Sequence, residues 1–135
     1  NKIGMQSVSV TLDYKKINND YIIFTSNGKV NTQKNLFDFI EIIKDSIGEL
    51  TINDIDRDGT MIGPDYNLIE KVYSQLKIPL VVMGGFGTID EISLLFNKYN
   101  QIGAACGSLF VFKGKNRAVL INYPRKEILD KVQQI

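Results

Sequence analysis

Histidine is absent from the 135 residues. Catalytic triads, dyads and zinc sites that depend on imidazole are therefore excluded. Acid–base chemistry falls to Asp, Glu, Lys, Tyr or Cys. The single cysteine, Cys106, rules out an intramolecular disulfide framework and points to a reducing, cytoplasmic compartment. Long apolar runs are missing too. None approaches the roughly 20 residues that span a bilayer, so no membrane partner is expected. Residues 1–30 are broken by Asp13, Lys15, Lys16 and Asp20 and do not read as a secretion signal. Nor does one sign of charge dominate: sixteen Lys and Arg face fifteen Asp and Glu, a formal charge of +1. That balance argues against a nucleic-acid partner, whose affinity comes mainly from a basic surface. It leaves room for a local basic pocket that takes a small anion.

The chain is 44% hydrophobic and 23% charged, enough to fill the core of one ordinary domain. Its patterning alternates between two periods. Residues 7–13 alternate polar and apolar, with Val8, Val10 and Leu12 on one face and Ser9, Thr11 and Asp13 on the other, which predicts a strand. Residues 14–31 read as an elaborated loop with a small hairpin, carrying a short strand at Tyr21–Phe24 and a turn at Ser26-Asn27-Gly28. Leu36, Ile40 and Ile43 repeat at helical spacing behind Thr32 as candidate N-cap, and Gly48 ends the segment.

Glu49–Asn53 alternates again as a strand, and the polar loop Asp56–Thr60 leads to a helix near Asp65 with Ile69, Val72, Tyr73 and Leu76 as its stripe. Leu80–Met83 is a short apolar strand, broken by Gly84-Gly85-Phe86-Gly87. Thr88 and Glu91 fit a capping box ahead of Ile92, Leu95, Phe96 and Tyr99. A strand at 102–106 follows, then Gly107-Ser108, an additional strand at Arg117–Asn122, and a last helix from Pro124 through Ile128 and Val132. The order is β-α-β-α-β-α-β-α with one inserted hairpin. Such alternation favours an α/β fold of parallel strands joined by helical crossovers.

Two glycine motifs carry the strongest chemical signal. Met83-Gly84-Gly85 and Cys106-Gly107-Ser108 end consecutive strands. In an α/β barrel the loops after the last two strands commonly form a phosphate site. Glycine lets backbone N–H groups approach an oxyanion, a helix start presents free amides, and Ser adds a donor. A single Gly-Gly would read as a tight turn; two on neighbouring strand ends favour phosphate. Asp13, closing its strand on the polar face, is either an acid–base carboxylate or an exposed loop cap. Asp54, Asp56 and Asp58 are acidic neighbours, but their spacing specifies no calcium loop and Asp58-Gly59 is a natural turn, so no metal is called for. Glu49, Thr51 and Asn53 share a strand face. They form either a hydrogen-bonded polar layer or a conduit for a small polar molecule.

The string Glu49-Leu50-Thr51-Ile52-Asn53-Asp54-Ile55-Asp56-Arg57-Asp58-Gly59-Thr60 resembles the sixth-strand region of the HisF family, the cyclase subunits of imidazole glycerol phosphate synthase. Leu80–Gly87 is similar to strand seven, Ala105–Phe110 to strand eight, Ser9–Asp13 to strand five, and Ile23–Lys29 to the hairpin after it. The resemblance implies the C-terminal half of a (β/α)8 TIM barrel: four parallel βα units with an inserted hairpin. A complete barrel needs about 250 residues. The expectation is a single half-barrel domain over residues 1–135, part of a longer chain or completed by self-association through the open half-barrel face.

In this family, ammonia from a partner glutaminase (HisH-like) crosses the barrel. It reacts with a phosphorylated small-molecule substrate, N'-phosphoribulosyl-formimino-AICAR-phosphate, to give imidazole glycerol phosphate and AICAR. The resemblance assigns acid–base catalysis to Asp13, phosphate and substrate binding to Asp58, Gly59, Gly84, Gly85, Gly107 and Ser108, and the ammonia entrance to Glu49. It implies no cofactor. The partnering catalytic aspartate belongs to strand one, so little activity is expected of this half alone. Residues 108–124 depart from the usual HisF ending and look more like HisF-like paralogues that deliver ammonia to an amidotransferase making an acetamidino sugar for surface polysaccharide.

Other residues read as ordinary structure. Cys106 has no neighbouring base in sequence and fits a small buried residue. Lys113, Lys115 and Arg117 form a short basic cluster of the kind that is usually a solvated surface. Leu36, Phe37 and Phe39 are helix packing, and nothing assigns chemistry to Tyr14 or Tyr66.

Overall fold

Period-two alternation fixes the architecture, because each strand turns its apolar side chains to one face of a shared sheet. The computed structural model describes residues 4–114, 116–121 and 123–133. A 3-10 turn at Met5–Ser7 leads into β1 (Ser9–Ile17), β2 (Asp20–Thr25) and β3 (Val30–Asn35), then α1 (Leu36–Ile43). β4 (Glu49–Asp54), α2 (Tyr66–Tyr73), β5 (Leu80–Met83), α3 (Ile89–Lys98) and β6 (Ile102–Ala105) follow. The chain continues through α4 (Ser108–Val111), β7 (Phe112–Lys113), β8 (Ala118–Val119) and α5 (Lys126–Gln133).

Among the described residues one six-stranded sheet runs in the order β3-β2-β1-β4-β5-β6, with β7 and β8 as a separate antiparallel pair. β1, β4, β5 and β6 pair in parallel, whereas β2 and β3 are antiparallel additions at the β1 edge. This is a mixed α/β fold with a parallel sheet, as part of a TIM barrel would have. No helix of the described residues is long and apolar enough to cross a membrane.

The register sets two unlike faces. Leu12, Ile52 and Val82 lie side by side, as do Leu50 and Leu80, and all five are buried. Against them pack Leu36 and Ile40 of α1, Leu68, Ile69 and Val72 of α2, and Ile92 and Leu95 of α3. The other face carries Ser9, Thr11 and Asp13 opposite Glu49, Thr51 and Asn53, then Val81 and Met83 opposite Gly103 and Ala105. It is exposed to half-buried apart from Thr51.

Helix starts follow local side-chain chemistry. The Asn35 side chain accepts from the Phe37 amide at 2.9 Å and caps α1. The expected cap, Thr32, instead lies within β3, where its hydroxyl donates to the Ile23 carbonyl at 2.7 Å. The third strand of the hairpin has captured it. Asp65 caps α2 by accepting from the Leu68 amide at 3.1 Å. Thr88 and Glu91 form the expected capping box on α3.

The hairpin is larger than sequence suggests. β1 does not stop at Asp13 but runs to Ile17, because antiparallel pairing with β2 carries it onward through Ile17↔Asp20. The additional strand expected at 117–122 is only Ala118–Val119, and Asn122 lies outside the described residues. The last helix starts at Lys126, after Pro124.

Leu50, on the parallel strand between β1 and β5, has no exposed surface, whereas Ile42 on the outer side of α1 is 74% exposed. Leu50→Ala is expected to cost about 2–5 kcal/mol through the cavity it leaves. Ile42→Ser is expected to stay within about 0.5 kcal/mol of the parent. Urea midpoints at constant m-value measure both. Equal effects would contradict this assignment of the core face.

Candidate functional site

The parallel register places Asp13 directly opposite Asn53, on the face away from the helices. Although β1 runs on, Asp13 therefore stands level with the C-terminal ends of β4, β5 and β6. The Asn53 side-chain amide donates to Asp13 Oδ1 at 2.8 Å, which holds the carboxylate in one orientation. The Asn53 side-chain oxygen Oδ1 is buried and has no hydrogen-bond partner among the described residues. A buried acceptor left in this state favours an incoming N–H or O–H donor. Asp13 also borders a cavity of about 430 Å³ formed with the hairpin, whose polar lining includes Thr25, Ser26, Asn27 and Lys34.

Glu49 begins β4, four residues from Asn53 and on the same face. At roughly 3.3 Å per residue it stands about 13 Å away, at the opposite end of the sheet. Ser9 donates its hydroxyl to Glu49 Oε1 at 2.8 Å. Thr11 and Thr51 lie between the two ends. A polar line thus joins Glu49 to Asp13 across an otherwise apolar sheet. Glu49 also lines a cavity of about 370 Å³ with Val81, Phe96, Tyr99 and Ile102.

The loops beyond β4 and β5 are organised by Asp54, which is only 6% exposed. Tyr14 donates its hydroxyl to Asp54 Oδ2 at 3.1 Å, and Arg57 Nε lies 3.4 Å from the same oxygen. The amides of Asp56 and Arg57 both donate to Oδ1 at 3.2 Å. The Asp54 backbone carbonyl accepts from Asp58 at 2.8 Å, while Arg57 also donates to the Gly63 carbonyl at 2.9 Å. Burial raises the Asp54 pKa above the ordinary carboxylate range; the backbone amide and the Tyr14 and Arg57 groups oppose that rise. Burial also raises Tyr14 far above an ordinary phenol, with the Asp54 charge adding to the effect. The sequence does not show the role of either residue, because Asp54 alternates onto the apolar face and only tertiary packing supplies its donors.

The glycines at the strand ends serve the backbone first. Gly84 has φ +95, and a Cβ there would stand 2.6 Å from the Asp54 carbonyl. Gly85 has φ +93, and its carbonyl accepts from the Gly63 amide at 2.8 Å. Both glycines let the loop after β4 lie against the end of β5. Gly107 is different: a Cβ there would meet nothing within 4 Å, so its backbone faces open space. Gly59 lies beside it, with its open side directed at the Ser108 hydroxyl, 3.7 Å from where a Cβ would be. Asp58, Gly59, Gly84, Gly85, Gly107 and Ser108 therefore gather at one end of three adjacent strands. The expected helix-start donors are not all free. The amides of Gly87 and Thr88 are taken by Glu91 Oε2 at 2.8 and 3.2 Å, and α4 is only four residues long.

Asp54, Asp56 and Asp58 do not converge on one point, since Asp54 faces Tyr14 and Arg57 while Asp56 pairs with Lys15 at 3.5 Å. Among the described residues no group of three His, Cys, Asp or Glu side chains is arranged to hold a metal ion. Burial, reinforced by the negative charge of Glu91, pushes the Cys106 thiol up to about 11, so it is a poor nucleophile at neutral pH.

A family model described as "Histidine biosynthesis protein" matches residues 1–116. A "Putative imidazole glycerol phosphate synthase subunit HisF" of Leptospira borgpetersenii is 46% identical over 125 residues, 90% of this chain and 49% of the relative. The "hisF3" protein of Vibrio vulnificus, given the same subunit name, is 45% identical over 129 residues, 91% of this chain and 48% of the relative. The "Imidazole glycerol phosphate synthase subunit HisF" of Chlorobaculum parvum is 31% identical over 113 residues, 83% and 45% respectively. The chain spans about half the length of the curated relatives it matches.

Because burial raises the Asp54 pKa, the folded state holds this proton more tightly than the unfolded chain. The stability from protonated Asp54 is complete below the unfolded value near 3.9 and is lost as pH rises through the folded value. Tyr14→Phe removes a donor to the carboxylate. It is expected to move the Asp54 pKa further up, deepen that loss and cost about 1–2 kcal/mol at neutral pH. Urea unfolding from pH 3 to 8 measures this, with Asp54→Asn as the reference that lacks the titration. Parallel pH profiles for the parent and Tyr14→Phe would refute the coupling.

Proposed function

The chain belongs to the histidine biosynthesis protein family, and from that premise we propose that it supplies the C-terminal half of a HisF-type (β/α)8 barrel. Its four parallel βα units carry strands five to eight, with the β2–β3 hairpin inserted after the first. The completed barrel uses ammonia from a HisH-like glutaminase. It converts N'-phosphoribulosyl-formimino-AICAR-phosphate to imidazole glycerol phosphate and AICAR, in the cytoplasm. The observation that carries this reading is the placement of Asp13. Its carboxylate is held by Asn53 at the same sheet end as the glycine loops, on the face that no helix of the described residues covers.

Asp13 exchanges protons with the reacting substrate. An orienting hydrogen bond suits that role, since a general acid or base must present its oxygen to one proton position. Two carboxylates across a barrel mouth can divide acid and base roles, and this chain contributes one of them. The open backbone at Gly107, the Ser108 hydroxyl and the Asp58–Gly59 turn receive one phosphate of the substrate. Gly84 and Gly85 shape that end by letting the β4 loop close over β5. Glu49 stands at the far end of the polar line, where ammonia enters from the glutaminase. Ser9, Thr11 and Thr51 offer it successive hydrogen-bonding groups on the way to Asp13. The same face is the surface through which the half barrel meets its other half or a second copy of itself.

One observation favours a second reading. After β6 the chain forms the short α4 and the β7–β8 pair before its last helix. This ending suits a HisF-like subunit that delivers ammonia to an amidotransferase making an acetamidino sugar for surface polysaccharide, with the acceptor bound elsewhere.

Turnover with ammonium separates the two, followed by absorbance on a barrel completed with a segment carrying strands one to four. Imidazole glycerol phosphate and AICAR are the expected products. The chain alone is expected to give little or none. Asp13→Asn in the complete barrel is expected to lower kcat by at least about a hundredfold, the scale of a lost acid–base group. A folded complete barrel that turns over no precursor would transfer the assignment to ammonia delivery.

A further inference from the structure

We propose that Arg117, on the turn between β7 and β8, is the cationic contact for a phosphomonoester dianion at the Gly59–Ser108 end of the sheet. This rests on the phosphate reading given above and adds a residue to it. Arg117 has φ 50, a left-handed conformation that bulky residues rarely adopt. Its amide donates to the Gly114 carbonyl at 3.0 Å, which closes the turn and sends the side chain back over the loops. The guanidinium lies 4.8 Å from the centre of the Phe112 ring and donates an N–H to the Gly59 carbonyl. Gly59 is also the residue that faces the Ser108 hydroxyl, beside the open backbone of Gly107. One guanidinium and one hydroxyl therefore lie beside Gly59, and the hydroxyl adjoins the open backbone of Gly107.

Charge supplies the second half of the inference. The loop after β4 holds Asp56 and Asp58, so a phosphate dianion arriving there needs an opposing cation. Lys15 and Arg57 touch this loop, but Lys15 pairs with Asp56 and Arg57 with Asp54. Arg117 also touches it and pairs with no carboxylate among the described residues. Its contact with Gly59 uses one of five guanidinium N–H donors, and the planar fork that remains matches phosphate geometry. Lys115, the neighbouring basic residue, lies outside the described residues.

The test is titration of the chain with inorganic phosphate and with glycerol 3-phosphate at low ionic strength. Arg117→Gln is expected to weaken both by about tenfold to a hundredfold, the scale of a lost charge-assisted hydrogen bond, with an unchanged urea midpoint. Ser108→Ala is expected to weaken them several-fold. Parent affinity in Arg117→Gln, with a loss in Ser108→Ala, would overturn the role of Arg117 and leave the phosphate site standing. No binding of either ligand by the parent chain would overturn both. A measurement on the parent chain guards against a folding defect in the variant. The Arg117 Nε–H resonance is expected to shift on phosphate addition; a shift confined to the Gly107 and Ser108 amides would also overturn the proposal.

Discussion

One buried carboxylate sets the geometry on which the rest of the site depends. Asp54 ends β4 with its side chain turned toward the helices, where a charge without partners would be costly. Tyr14, Arg57 and two backbone amides supply those partners. Each donor comes from an element whose position matters elsewhere. Tyr14 follows Asp13 on β1, the two amides shape the turn toward Asp58 and Gly59, and Arg57 ties that turn to Gly63. The Asp54 carbonyl also lies close to Gly84, so the β5 loop is seated against the same residue. A mixed set of charge, phenol and backbone donors satisfies the carboxylate only when β1, β4 and the two loops stand in one arrangement.

The sheet applies a second constraint. Its helix-facing side is apolar up to Asp54 at the end of β4, while its other side changes from polar on β1 and β4 to apolar on β5 and β6. Glu49 and Asp13 mark the two ends of the polar half. Each is held by the strand beside it, through Ser9 in one case and Asn53 in the other. Such cross-strand pairs fix side-chain direction without using the loops. The carboxylates therefore rest on paired strands, whereas the end that gathers Asp58, Gly59, Gly107 and Ser108 is built largely from turns.

Glycine answers two separate needs at the strand ends. At Gly84 and Gly85 the requirement is internal, since neighbouring backbone leaves no space for a side chain. At Gly107 the space is open. Sequence alone presents these positions alike, as glycines after an apolar strand. The capping box on α3 adds a related distinction, because Glu91 occupies amides that a helix start would otherwise offer to a ligand.

The parallel strands, their helices and the apolar stripes were legible in the sequence, because period-two and 3.6-residue patterns follow from backbone geometry. So was the shared face of Glu49, Thr51 and Asn53, and the position of Asp13 on the polar side of its strand. The capping box was legible because its partners are three residues apart. What lay hidden depended on contacts distant in sequence. Thr32 has the spacing of a cap but bonds to β2 in the hairpin, and Asp13 closes an alternation that antiparallel pairing extends. The Asn53–Asp13 bond needs a register that no single strand encodes. In the sequence Asp54 is one acid among three; Tyr14, forty residues earlier, gives it a donor. Local periodicity is written in neighbours along the chain. The orientation of a charged side chain is decided by donors that only folding brings within reach.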